Sequence, residues 1–276
     1  LIARRLMTTG TVRHFPANPL HGVDYQIVSS FSKSKFWKEI LVGVDVVVHC
    51  AARAHVMRDS ERDPLAVYRE VNVEGTRNLA EQAASCGIKR FIYISSIKVN
   101  GEETNERPFK ADDIPAPEDF YGISKWEAEQ VLQKIGCNSK MEIVIIRPPL
   151  VYGPEVRANF LKLMKLVKSG LPLPFGAIHN SRSFVAVDNL VDLILICLHH
   201  PAAINQTFLV SDGDDLSTTE LLRRTAKACG KPSRLIPIPV FLLRTAALLL
   251  GKADFAQRLC GSLQIDISKE IGRAHV

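Results

Sequence analysis

Apolar residues recur along the chain in two rhythms. Some runs are continuous and rich in β-branched side chains, while in others the apolar positions return every three or four residues. The first kind includes VDVVVHCAA (44–52), RFIYISS (90–96) and MEIVIIRPPLVYG (141–153), the last cut off by Pro148 and Pro149. Such runs predict strands buried on both faces. TVRHF (11–15) and YQIV (25–28) are shorter strand candidates, and QTFLVSD (206–212) is a late one. The second kind predicts helices over 64–87, where Gly87 suits the position just past a helix end, and over 119–136. After residue 153 the texture changes to a helix, a proline-rich loop, then a strand or loop leading into a helix that Asp188 can cap. STTELLRRTAKACG opens as a capping box, with Glu220 three places after Ser217.

Strands alternating with helices pair in parallel through right-handed crossovers. The expected fold is therefore α/β, a doubly wound parallel sheet (Rossmann-like), with a smaller interleaved C-terminal lobe. The expected division is 1–153 for the sheet domain and 154–276 for the lobe, with returns to the sheet. The opening LIARRLMTTG reads as the back end of a helix, so the first strand of such a sheet is expected to lie ahead of it. Ligands of these sheets sit at the carboxyl ends of the strands. Here those ends are His49–Ala52, Ser95–Ser96 and Arg147–Tyr152.

Composition narrows the function. The 276 residues carry a formal charge of +6, but Lys and Arg are scattered, which leaves no nucleic-acid footprint and allows an anionic ligand. The six cysteines form no C-x-x-C pair and read as reduced, mostly buried thiols of a cytoplasmic protein, without a zinc site. His49, His55 and the pair His199–His200 read as structural or exposed, and no metal site is expected. The most apolar stretch, Leu235–Gly251, contains Pro237, Pro239 and Arg244. That interruption argues against a membrane span, and the stretch reads as part of a packed lobe in preference to a membrane-surface helix.

The candidate chemistry lies in YGISK (121–125). Residues four apart share a helix face, so Tyr121 and Lys125 project together. An adjacent ammonium favours phenolate and would lower the tyrosine pKa, making the phenol a proton acceptor for an alcohol. Ser96, at the end of the preceding strand, could bond the same oxygen. Alone, this pair also fits an exposed amphipathic helix.

The order of motifs separates these readings. VVHCAA, VNVEGTRNL, FIYISSIKVNGE, YGISKWEAE, RPPLVYGP, RSFVAVDNLVD and QIDISK occur in sequence. With them the chain resembles the extended short-chain dehydrogenase/reductase family, of the NAD-dependent epimerase/dehydratase type that acts on nucleotide sugars. The resemblance implies that Ser96, Tyr121 and Lys125 are catalytic, with Lys125 also holding the nicotinamide ribose. It implies that Cys50, Ala51 and Ala52 pass the cofactor, that Asn72 distorts its helix and joins a proton relay, and that Pro148 and Val151 line the nicotinamide pocket. Asn159 and Arg182 match positions that grip the nucleoside diphosphate, and Arg258 is a looser second candidate.

The chain departs from the family at several points. No G-x-x-G-x-x-G fingerprint is present. No acid stands near Phe15–Pro16, where NAD binders bond the ribose, so NADP stays open beside the NAD that the resemblance implies. Ser29–Ser30 replaces a usual Gly-Asp, and Asn100 replaces a tyrosine that many epimerases carry. Ile97 and Lys98 follow Ser96 where dehydratases place an acid. The expected activity is 4-epimerisation of a UDP-sugar through a 4-keto intermediate. The alternatives are NAD(P)H-dependent reduction of a UDP-4-keto-6-deoxy-amino sugar in surface-polysaccharide assembly, and an inactive dinucleotide-binding module. A homodimer is allowed.

Overall fold

In the computed structural model, residues 6–28, 30, 37–54, 63–154 and 158–269 are described. The chain divides into two units and passes between them five times. The first comprises Leu1–Val99, Pro115–Arg147 and Leu193–Thr207, and the second comprises Asn100–Ile114, Pro148–Asp192 and Phe208–Val276.

In the first unit, β1 (Thr8–Val12) pairs in parallel with β2 (Val23–Ile27). The first expected strand thus stands three residues early. Pairing with β2 ends at Val12, and Arg13, His14 and Phe15 are exposed. A short helix α1 (Trp37–Ile40) leads to β3 (Val46–His49). The expected 64–87 helix is α2 (Pro64–Arg69), a π-helical turn at Glu70–Glu74, and α3 (Gly75–Ser85). It stops because Gly87 takes φ +77°, letting Gly87 N–H bond Ala84 and Ile88 N–H bond Ala83. Next come β4 (Arg90–Ile94), α4 (Phe120–Cys137) and β5 (Glu142–Arg147). Strands β3, β4 and β5 are parallel neighbours, with His49 opposite Tyr93 and Ile94 opposite Ile146. This register aligns the carboxyl ends of β3 and β4. Phe91, Ile92, Val144 and Ile146 are fully buried, as a sheet covered on both faces requires.

The second unit opens with β6 (Leu150–Tyr152) and α5 (Ala158–Lys168), and β6 pairs in parallel with β7 (Phe184–Ala186). Helix α6 (Val187–Cys197) starts one residue before Asp188, which therefore lies in the first turn and not at the cap. Strand β8 (Thr207–Leu209) joins the sheet of β3, β4 and β5 beside β5, in the order β3-β4-β5-β8, and the later helices are α7 (Thr218–Ala228), α8 (Val240–Leu249) and α9 (Ala253–Cys260). Ser217 caps α7 by accepting from the Glu220 N–H at 3.0 Å. Two expectations change here. Within Leu235–Gly251, Leu235 packs against the core cluster of Val167, Leu173, Leu222 and Ala226, but helix α8 has no buried residue, and only its Val240, Leu243 and Ala247 turn partly inward. Only Cys197 and Cys260 are buried, and Cys50, Cys86 and Cys137 are exposed. Among the described residues no helix is long and apolar enough to cross a membrane.

Helix α4 carries two charges into the core of the first unit. Glu129 is fully buried and takes a two-point ion pair from Arg147, at 3.0 Å from Nε and 2.6 Å from Nη2. The Ser95 hydroxyl donates to the same carboxylate at 2.5 Å. One turn earlier, Lys125 is 1% exposed, and burial pulls its pKa from an ordinary 10.5 to about 7. Replacing Arg147 with alanine strands the Glu129 charge and is expected to cost about 3–5 kcal/mol in urea denaturation. A joint Glu129→Leu, Arg147→Met replacement should recover most of that loss, and equal loss in both variants would contradict the pairing. Lys125 titrates at a lower pH folded than unfolded, so between about 7 and 10.5 the unfolded chain binds more protons and stability rises with pH. Lys125→Met removes this slope, so its stability advantage should shrink as pH rises through that window. Parallel wild-type and variant curves would contradict it.

Candidate active site

The site is assembled where β4 ends and α4 begins. Asp119 caps α4 by accepting from the Gly122 N–H at 2.7 Å, and it pairs with Lys98 at 2.5 Å. Gly122 is required by packing. A Cβ there would stand 2.7 Å from the Lys98 carbonyl oxygen and 3.2 Å from both Asp119 and Pro117. This close approach sets the first turn of α4 against the Ile97–Val99 turn that follows Ser96. Tyr121 and Ser96 come close as a result, near enough for the Ser96 hydroxyl to favour the phenolate. Both are half-buried. The Tyr68 ring packs edge-on against Tyr121, with centroids 6.4 Å apart, and Arg53 lies over Tyr68 at 5.7 Å.

Electrostatics differ from the sequence expectation. The Tyr121 phenol is pushed up to about 12, first by burial and then by the Asp119 charge, while the Ser96 hydroxyl opposes both. Lys125 does not lower it. Its ammonium instead donates to the Ile94 carbonyl at 2.7 Å and stands 4.0 Å from the Tyr93 ring centroid. The shared helix face is real, but the lysine stem runs inward beneath the strand end. His49 is buried, bonds Thr76 through Nε2 at 2.9 Å and stacks on Tyr93. Burial, and then Lys125, pull its pKa to about 3, so it is neutral and structural.

Asn72 lies inside the π-helical turn and is 1% exposed. Its Oδ1 accepts from the Arg53 N–H at 2.7 Å. Its Nδ2 donates to the Arg53 carbonyl at 3.1 Å and to Ser124 Oγ at 2.9 Å. Ser124 in turn donates to the Tyr121 carbonyl at 2.8 Å. One amide thus ties the segment after β3 to the helix bearing Tyr121. The extra residue of the π turn aims it there, as such bulges often do at functional sites.

Cys50, Ala51 and Ala52 follow β3 and carry small side chains; the first two are exposed and the third half-buried. They precede Arg53, whose backbone Asn72 clamps, so a ligand could approach this backbone closely. Pro148 (buried) and Val151 (half-buried) belong to the second unit. So does Arg182, whose Nη1 donates to the Gly261 carbonyl at 2.9 Å and whose backbone makes isolated bridges to Leu216 and Leu263. Asn159 is the second residue of α5, and its side chain lies outside the described residues, as does His55. Arg258 is exposed on α9. Ser96, Tyr121, Lys125, Asn72 and Cys50–Ala52 therefore gather in the first unit. Sequence reasoning missed Ser124 and Arg53, although Ser124 sits within YGISK itself. It also missed Asp212, which accepts from Tyr152 Oη at 2.7 Å and Asn189 Nδ2 at 2.8 Å in the second unit.

Comparison with known proteins agrees with this geometry. Residues 9–211 match the NAD dependent epimerase/dehydratase family. The UDP-glucose 4-epimerase of Vibrio cholerae is 57% identical over 230 residues, spanning 83% of this chain and 70% of that protein. An Escherichia coli O157:H7 protein, N-acetyl-alpha-D-glucosaminyl-diphospho-ditrans,octacis-undecaprenol 4-epimerase, is 32% identical over 209 residues, spanning 74% of this chain and 61% of that one. The same fold occurs in Thermotoga maritima UDP-glucose 4-epimerase with UDP-glucose, at TM-score 0.76 and 20% identity over 97% of this chain and 84% of that one. The sheet, the Ser96–Tyr121 contact and these matches together place the chain in the NAD dependent epimerase/dehydratase family.

Proposed function

We propose that the chain catalyses NAD-dependent 4-epimerisation of a UDP-sugar. The observation that carries this reading is the approach of Tyr121 to Ser96 at the carboxyl end of β4, with Lys125 buried one turn along α4. Tyr121 takes the proton of the sugar 4-hydroxyl as C4 is oxidised to a ketone, and returns it when the ketone is reduced from the opposite face. Ser96 donates to the same oxygen and holds it as charge develops. Bound NAD supplies the hydride acceptor at C4, and the donor on return. The chain's residues fit that cofactor: Cys50–Ala52 present small side chains beside a strand end, and the Lys125 ammonium, with one proton on Ile94, keeps a donor for a ribose hydroxyl. Asn159 and Arg182 are assigned to the substrate diphosphate, for which a guanidinium fork is suited.

At a pKa of about 12 the phenol stays protonated at neutral pH, so Tyr121 must lose its proton more readily once the positively charged oxidised nicotinamide is in place. All six cysteines are free, in keeping with an enzyme of the reducing cytoplasm. A second reading, a sugar diphosphate carried on a polyprenol, is favoured by the outward apolar face of α8 and by the 32% identical relative. Epimerisation reads only the sugar and diphosphate, so the same residues would serve.

Tyr121→Phe is expected to lower turnover about a hundredfold or more without altering the fold. UDP-sugar interconversion should proceed with no net change in reduced cofactor, followed by NMR and absorbance. Unchanged turnover in Tyr121→Phe would overturn the assignment, and stoichiometric consumption of reduced cofactor by a 4-keto sugar would make the chain a reductase. Gly122→Ala forces α4 away from the Lys98 carbonyl, so it should cost about 1–3 kcal/mol and lower kcat more than it raises KM. Wild-type stability and kcat in that variant would show that the close approach is dispensable.

A further inference from the structure

Helix α8 poses a problem that the active site does not solve. Its inward face, Val240, Leu243 and Ala247, is apolar and half-buried. Its outward face is apolar too. Phe241, Leu242, Leu248 and Leu249 stand on that side, all exposed, with Leu249 at 82%. Helical spacing puts these four within roughly a third of the circumference, so they form one stripe. Leu250 and Phe255, in the turn and the following α9, extend the exposed apolar surface, at 72% and 58%. A helix apolar all round is normally covered, and an exposed patch of this kind marks an interaction surface.

The charges around the stripe indicate what covers it. Residues 231–260 contain five basic side chains, Lys231, Arg234, Arg244, Lys252 and Arg258, against a single acid, Asp254. All five basic residues are exposed; Arg244, on the flank of α8, is offset by Glu103 at 3.9 Å, so the positive charge beside the stripe comes mainly from the other four. A second copy docked through the same patch would set these cations against their own counterparts, which opposes a two-fold interface. An anionic lipid surface complements both features, taking the leucine and phenylalanine side chains at the acyl boundary and the cations at the headgroups. With ten residues and Arg244 within it, α8 suits lying on a bilayer and not crossing one. We propose that the α8 face, continued by Leu250 and Phe255, docks the protein on the surface of an anionic membrane. This holds whichever carrier the substrate sugar bears, since of these residues only Arg258 is also a candidate for the diphosphate, and the stripe and Lys252 do not need it.

The test is flotation of the chain with phosphatidylcholine vesicles containing or lacking phosphatidylglycerol. Wild type should float with the anionic vesicles and remain largely unbound with neutral ones, and added salt should weaken the binding. Leu248→Glu/Leu249→Glu is expected to lower the partition about tenfold or more. Lys252→Glu should lower it several-fold by charge alone. Both changes are on exposed positions, and thermal unfolding should match wild type, separating a docking defect from misfolding. Failure of wild type to float with anionic vesicles would overturn the proposal, as would equal binding by the leucine variant. A wild-type dimer that Leu248→Glu/Leu249→Glu turns into a monomer would assign the face to a second copy and overturn it as well.

Discussion

The contact between Gly122 and the backbone carbonyl of Lys98 is the constraint on which the site depends. Any side chain at 122 would meet that oxygen at 2.7 Å, so only glycine lets the first turn of α4 close on the turn after β4. Everything chemical follows from that closure. It brings the Tyr121 phenol to Ser96, and it fixes the angle at which Lys125 enters beneath the strand end. Asn72 secures the other side through Ser124 and the Arg53 backbone, so helix, π turn and post-strand segment hold one another. The site is rigid because its polar groups are bonded to backbone, and Asn72, Ser124 and Lys125 are buried as well.

The core beneath it is unusually charged for a parallel sheet. Glu129, Arg147, Lys125 and a neutral His49 are all nearly inaccessible. Glu129 and Arg147 neutralise each other in a two-point pair. Lys125 has only partial compensation from Glu129 and Cys50, which is why its proton is held weakly near neutrality. A buried lysine at this balance can change charge when a ligand arrives, whereas an exposed one would stay cationic.

Much of this was legible in the residues, because the strands that hold the site are buried on both faces and their β-branched runs announce it. VVVH, RFIYI and EIVIIR appear where the pattern puts them, and their carboxyl ends carry the candidate residues. The serine–tyrosine meeting follows from motif order. The direction of Lys125 does not, since helical spacing puts two side chains on one face without saying that the longer one turns under the sheet. The raised Tyr121 pKa was missed for the same reason: burial and Asp119 outweigh a lysine aimed elsewhere. The π turn around Asn72 leaves no mark in hydrophobic periodicity. Helix α8 misled for a plainer reason, as apolar content reports the wish to be covered and not the presence of a cover.

The account stands on the Tyr121 phenol acting as the proton acceptor, although its pKa in the ligand-free chain is about 12. The most direct measurement is the ionisation of Tyr121 by NMR of isotope-labelled tyrosine, assigned by its loss in Tyr121→Phe, with and without oxidised NAD. The account predicts a phenol that titrates near 12 alone and moves well down toward neutrality when the cofactor binds. A phenol that binds beside NAD and still titrates near 12 would contradict it.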